Sequence, residues 1–172
     1  MLKIAGVILC VAGSAGYGWA QVISWKKGLN EIKIWIVLFS KIKSCLLYRK
    51  ETLETGCVRI GEQEEVNQGR LLLKIGQRAE REREKEFGMI WGEEIRLWCK
   101  MRKLSGNMEQ LLLRFPEYMK EADEQLQMEL FSVYMKEMEH EQRLLEQKIR
   151  EQQKPLMAVS LVVGLMLSIL LV

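Results

Sequence analysis

The side chains with the widest chemical range in this 172-residue chain are one histidine and four cysteines. His140 follows Glu137 at the Glu-x-x-His spacing by which bundle di-iron proteins project two ligands from one helical face. Those proteins use the spacing twice. Here it occurs once, and a single histidine excludes a His-pair metal site within one chain, so His140 reads as a solvated residue on a charged helix. Cys10, Cys45, Cys57 and Cys99 show no paired spacing, and Cys10 lies in an uncharged stretch, which fits a reducing compartment. There is no glycine-rich phosphate loop and no Gly-x-Ser-x-Gly elbow, so neither nucleotide hydrolysis nor a serine nucleophile is expected. The chain reads as non-enzymatic, with no catalytic, cofactor-binding or metal-ligating residues.

What would position any of these groups is a strongly divided sequence. The averages look ordinary, with 48% hydrophobic residues, 28% charged residues and a net charge of +3. Yet of 49 charged residues only Lys3 lies outside the interval from Lys26 to Lys154. Ile4 to Ile23 is 20 residues without charge, about 30 Å as a helix, which matches a bilayer's hydrocarbon thickness. Trp19 and Trp25 flank its charged end, where amphipathic aromatics settle among headgroups. Gly6, Gly13, Gly16 and Gly18 form a small-residue surface suited to another membrane helix, or are simply ordinary membrane-helix composition. Leu156 to Val172 is a second uncharged stretch, with only Ser160 and Ser168 polar. The sequence therefore predicts three parts: a transmembrane helix over 1–25, a helical bundle over 26–154 and a transmembrane helix over 155–172.

Lys26, Lys27 and Lys33 follow the first span, and Lys148, Arg150 and Lys154 precede the second. By the positive-inside rule both place the middle in the cytoplasm and the termini outside. The rival is a cleaved signal peptide, with its apolar region ending at Ala12 and cleavage after Ala15 or Ala20. The chain would then be a secreted or surface-anchored helical protein held by its C-terminal anchor.

The middle is expected to be all-α. Leu29, Ile32, Ile36, Phe39, Ile42 and Leu46 recur at helical spacing, and this helix should continue from the first span without a break. Thr52 caps a short helix ended by Gly61, and Asn67 caps a helix carrying Leu71, Leu72, Ile75 and Ala79. Glu80 to Glu86 reads as a solvated helix face. Phe87, Ile90, Trp91, Ile95 and Trp98 mark the next helix, Ser105-Gly106-Asn107 breaks it, and Pro116 ends the one after at Phe115. Asp123 caps a long last helix that runs to Pro155. Residues 26–50 carry a net +6 and residues 117–151 a net −5, so the first and last helices should attract each other and close the bundle. Trp35, Phe39 and Tyr48, interleaved in the basic stretch, resemble a nucleic-acid surface, but anionic lipid headgroups account for the charge more simply.

Phe115-Pro116-Glu117-Tyr118-Met119-Lys120-Glu121-Ala122-Asp123, with Gln127 four residues on, resembles the Phe-Gly-x-x-Leu-Gly-x-x-Asp-x-x-x-Gln run of the stage III sporulation protein AB family. Pro116 and Lys120 occupy its two glycine positions. Tyr48 with Leu53, and Trp91, match shorter family elements. The resemblance spans nearly the whole chain. It implies a helical domain similar to the cytoplasmic domain of the type II secretion F platform protein, within the channel-like complex that joins mother cell and forespore. It implies as partners other stage III sporulation membrane proteins and a secretion-type ATPase, alongside membrane lipids and without nucleic acid. It also implies a place in the mother-cell membrane facing the forespore. Candidate interface residues are Phe115, Tyr118, Met119, Asp123 and Gln127, of which Phe115 and Met119 also read as core and Asp123 as a helix cap.

Overall fold

The computed structural model describes the backbone of residues 2–119 and 123–171, and side chains over 19–119 and 123–152 with isolated positions beyond. Six α-helices and one 3-10 helix make up the described chain, which contains no strand. They are α1 (Leu2–Arg49), α2 (Leu53–Gln63), α3 (Asn67–Arg81), α4 (Phe87–Arg102), α5 (Gly106–Leu113), the 3-10 helix (Phe115–Met119) and α6 (Glu124–Leu171). Two compact units divide them: Glu31–Glu141, and the segments up to Asn30 and from Gln142.

In the terminal unit, α1 and α6 are each continuous through their uncharged stretch, and α6 runs through Pro155, where the sequence suggested a junction. The Lys148 ammonium lies 4.9 Å from the centre of the Trp25 ring. A Cβ on Gly13 or Gly16 would meet nothing within 4 Å. Among those residues, no helix is long and apolar enough to cross a membrane.

The other unit is a bundle around an aromatic core. Trp35 and Phe39, one turn apart on α1, meet Trp91 of α4, Phe115 of the 3-10 helix and Tyr134 of α6, and Phe131 of α6 joins the cluster through Phe115, all fully buried. Phe115 is the hub. Its ring centre lies 4.4 Å from Phe39, 4.9 Å from Trp91, 5.4 Å from Tyr134 and 5.7 Å from Phe131. The polar tips of two of these rings also cap α5. Trp91 Nε1 donates to the Leu112 carbonyl at 2.8 Å, and the Tyr134 hydroxyl donates to the Leu111 carbonyl at 3.2 Å. Carbonyls in the last turn of a helix lack partners of their own, so an eight-residue helix ends satisfied within the core.

Within this unit α1 and α6 run antiparallel, with Phe39 beside Tyr134, Lys43 donating to Ser132 Oγ at 2.7 Å, and Lys50 3.7 Å from Glu124. One contact of opposite charges between the two helices is that of Lys50 with Glu124. Lys50 and Glu124 are both largely exposed, and such pairs contribute little. Lys41 instead pairs with Glu64, and Glu137 with Arg114. Aromatic burial holds the two helices together.

Several boundaries differ from those the sequence suggests. Thr52 caps α2 as expected, accepting from Thr55 N, but the helix runs past Gly61 to Gln63. Gly61 is there because α3 passes too close for a side chain. Asn67 is the first residue of α3 and Val66 holds the cap position, with no side-chain capping bond. The run Glu80 to Glu86 covers the end of α3 and a turn, not a helix face. Its Glu82 accepts from Arg78, which also bonds Glu93 and Glu94, and pairs with Lys85. The break after α4 falls at Lys103, which adopts left-handed geometry (φ 53°), and Ser105 caps α5, so Gly106 and Asn107 are helical.

Hydrogen bonds from Arg78 and Lys85 hold the Glu82 carboxyl down to about 2 from an ordinary 4.5. A carboxyl more acidic in the folded chain contributes stability above its unfolded pKa and loses it as pH falls through its folded one. Glu82→Gln should therefore lower the melting temperature at neutral pH, and the difference from the parent should close as pH falls from about 4.5 toward 2.

Candidate functional site

The five residues expected at an interface come together at the corner where α5 passes through the 3-10 helix into α6, but with different roles. Phe115 is fully buried, in line with its reading as core, and serves as the hub of the aromatic cluster. Pro116 is buried beside it, and its fixed φ suits the 3-10 turn that follows α5. Tyr118 is half-buried. Its hydroxyl accepts from Arg114 Nη2 at 2.9 Å and donates to Glu137 Oε2 at 2.9 Å, while Arg114 Nη1 reaches Glu137 Oε1 at 2.5 Å. Burial and the adjacent carboxylate raise the phenol's pKa, which keeps it a donor. Met119 is half-buried and its carbonyl accepts from Gln127 Nε2 at 3.0 Å. Asp123 is exposed and caps α6, accepting from Leu126 N at 2.8 Å. Lys120, Glu121 and Ala122 lie outside the described residues.

Asp123 and Gln127 therefore fasten the start of α6, one by a cap and one by gripping the preceding 3-10 helix. Asp123→Ala should cost about 1 kcal/mol in thermal or denaturant unfolding. Asp123→Asn should recover most of that loss, because the amide oxygen can still accept from the helix amides.

Beside the corner, α1 and α6 enclose an open groove of about 720 Å³. Leu47, Met128 and Val133 give it apolar walls, and Lys43, Lys136, Glu124 and Glu129 edge it with both signs of charge. Sequence reasoning missed these residues. The available signal was Val133 and Leu47, apolar side chains off the buried stripe, more than a third exposed. Of the aromatics interleaved with basic residues, Trp35 and Phe39 are core, and only Tyr48 faces outward.

His140 is exposed, and the described residues contain no group of three or more potential metal ligands. The described cysteines are buried thiols. Burial pushes Cys99 up to about 12 and Cys57 higher, and Cys45 is raised as well. A thiol that stays protonated is a poor nucleophile.

The described residues thus form an all-helical bundle with a pinned corner and an open groove between two helices. The model of the stage III sporulation protein AB family matches residues 3–172, and the chain belongs to that family. No curated protein and no solved structure matches it.

Proposed function

We propose that this chain is a non-enzymatic membrane platform of the sporulation mother cell–forespore complex, in which the bundle docks a secretion-type ATPase from the cytoplasmic side. The observation that carries the reading is the family match over 3–172, joined to a charge pattern in which residues 4–25 and 155–172 are uncharged and a charged bundle lies between them. In this reading the two uncharged stretches span the membrane, and two anchors limit how the bundle tilts. The groove between α1 and α6 is the surface best suited to the motor, because it pairs apolar walls with charged rims.

Topology is the first test. The native Cys45, Cys57 and Cys99 are buried and would resist a thiol reagent on either side of the membrane, so an introduced cysteine is required. Tyr48 is 85% exposed, and Tyr48→Cys should label with a membrane-impermeant reagent only after permeabilisation. Labelling in intact cells would favour the secreted or surface-anchored reading. For docking, the full chain co-expressed with the ATPase should co-purify with it, and Val133→Glu or Met128→Glu should abolish capture while leaving the helical circular dichroism and melting unchanged. Capture that survives both changes would remove the groove from the interface, and capture that survives loss of the whole bundle would remove the docking role.

A further inference from the structure

The C-terminal half of α4 carries a face left exposed among the described residues. At about 100° per residue, Arg96, Leu97, Lys100 and Met101 fall within roughly 140° of arc. Glu94, Ile95, Trp98 and Cys99 fill the remainder and are buried. Leu97 is 55% exposed and Met101 73%. From Ile95 to Met108 there is no acidic residue, while Arg96, Lys100, Arg102 and Lys103 are basic. Glu93 and Glu94, the nearest acids on the helix, are already paired, Glu93 with Arg78 and Glu94 with Lys74 and Arg78. Basic residues in a last turn are ordinarily explained by the helix dipole. The dipole does not explain why two large apolar side chains stand among them in water.

A second observation shows how the face is held. Glu31, buried, accepts from Arg102 Nε at 3.1 Å and from Gln68 Nε2 at 2.6 Å, and the Arg102 guanidinium lies 5.0 Å from the centre of the Trp98 ring. This clasp fixes the C-terminal end of α4 to α1 within the bundle, and with it the orientation of the exposed face. We infer that the end of α4 is a lipid-facing surface, on which Leu97 and Met101 enter the headgroup layer of an anionic bilayer and Arg96, Lys100 and Lys103 meet the lipid phosphates. The inference rests on the terminal segments spanning the membrane, and it adds a third, reversible attachment set by lipid charge.

The test uses the full chain reconstituted into vesicles of phosphatidylcholine, alone or mixed with phosphatidylglycerol. Met101→Cys carries an environment-sensitive fluorophore, and the unsubstituted chain, treated alike, supplies the background. In the mixed vesicles the label should shift to the blue and lose roughly half its emission to brominated lipid. In pure phosphatidylcholine it should report water. Lys100→Glu with Lys103→Glu should abolish the response, as should high salt, whereas a label at Tyr48→Cys should report water in both lipids. A chain that withstands an alkaline wash yet keeps its Met101 label in water in mixed vesicles overturns the lipid-facing surface and leaves the spans intact. A chain released by the wash overturns the spans, and this surface with them.

Discussion

Phe115→Ala is expected to destabilise the bundle by about 3–5 kcal/mol, the range for removing a fully buried aromatic ring. Small domains have a total stability of about 5–15 kcal/mol, so this change alone would bring the bundle near to unfolding at growth temperature. Phe115 contacts rings from α1, α4 and α6 at once, so its loss opens a cavity shared by three helices that a local shift of any one cannot close. Phe115→Leu should cost distinctly less, because most of the volume is kept. Denaturant unfolding followed by circular dichroism measures both. The result also separates two roles for the residue. A variant that melts with the parent but no longer captures the ATPase would return Phe115 to the interface, whereas parallel loss of folding and capture assigns it to the core.

The second large effect is expected in the α2–α3 hairpin. A Cβ on Gly61 would lie 2.4 Å from Leu73 Cβ and 2.5 Å from its backbone nitrogen. One on Gly76 would lie 2.8 Å from the Glu54 carbonyl oxygen and 2.9 Å from Val58 N. Backbone atoms cannot rotate out of the way, so either substitution must push the two helices apart. Gly61→Ala and Gly76→Ala should each cost about 3 kcal/mol, the upper range for overpacking, despite alanine's better helix propensity. Gly28→Ala is the control. A Cβ there meets nothing within 4 Å, and the change should be neutral or stabilise α1 by up to about 1 kcal/mol. If all three variants melt alike, the close approach of α2 and α3 is not a determinant of stability.

These glycines show where reading along the chain stops short. Gly61 near the end of a short apolar pattern has the appearance of a helix terminator, because glycine commonly follows a last turn. Its actual constraint is a residue twelve positions away on another helix, which no local pattern contains. The same holds at Glu80 to Glu86. Alternating charges suit a solvated helix, but Arg78 draws Glu82, Glu93 and Glu94 onto one guanidinium and the chain turns there. Asp123, by contrast, was legible as a cap because a cap is local: one short side chain accepting from an amide three residues on. Likewise Trp91, Ile95 and Trp98 could be assigned to a core from their spacing, but not the Trp91 bond to Leu112 that ends α5 inside it.

By itself the sequence determined the helical class, most helix positions, the confinement of charge between residues 26 and 154, and the resemblance on Phe115, Asp123 and Gln127 that the family match bears out. Those properties depend on periodicity, composition and short-range capping, all of which are written in neighbouring residues. Only the tertiary structure decided that Phe115 is a hub, that buried rings join α1 to α6, and which apolar side chains remain exposed. Burial depends on what arrives from elsewhere in the chain. A phenylalanine in a family-like motif and a methionine on a helix face carry no mark of whether another helix will cover them. Here Phe115 is covered by three helices, and Met101 by none.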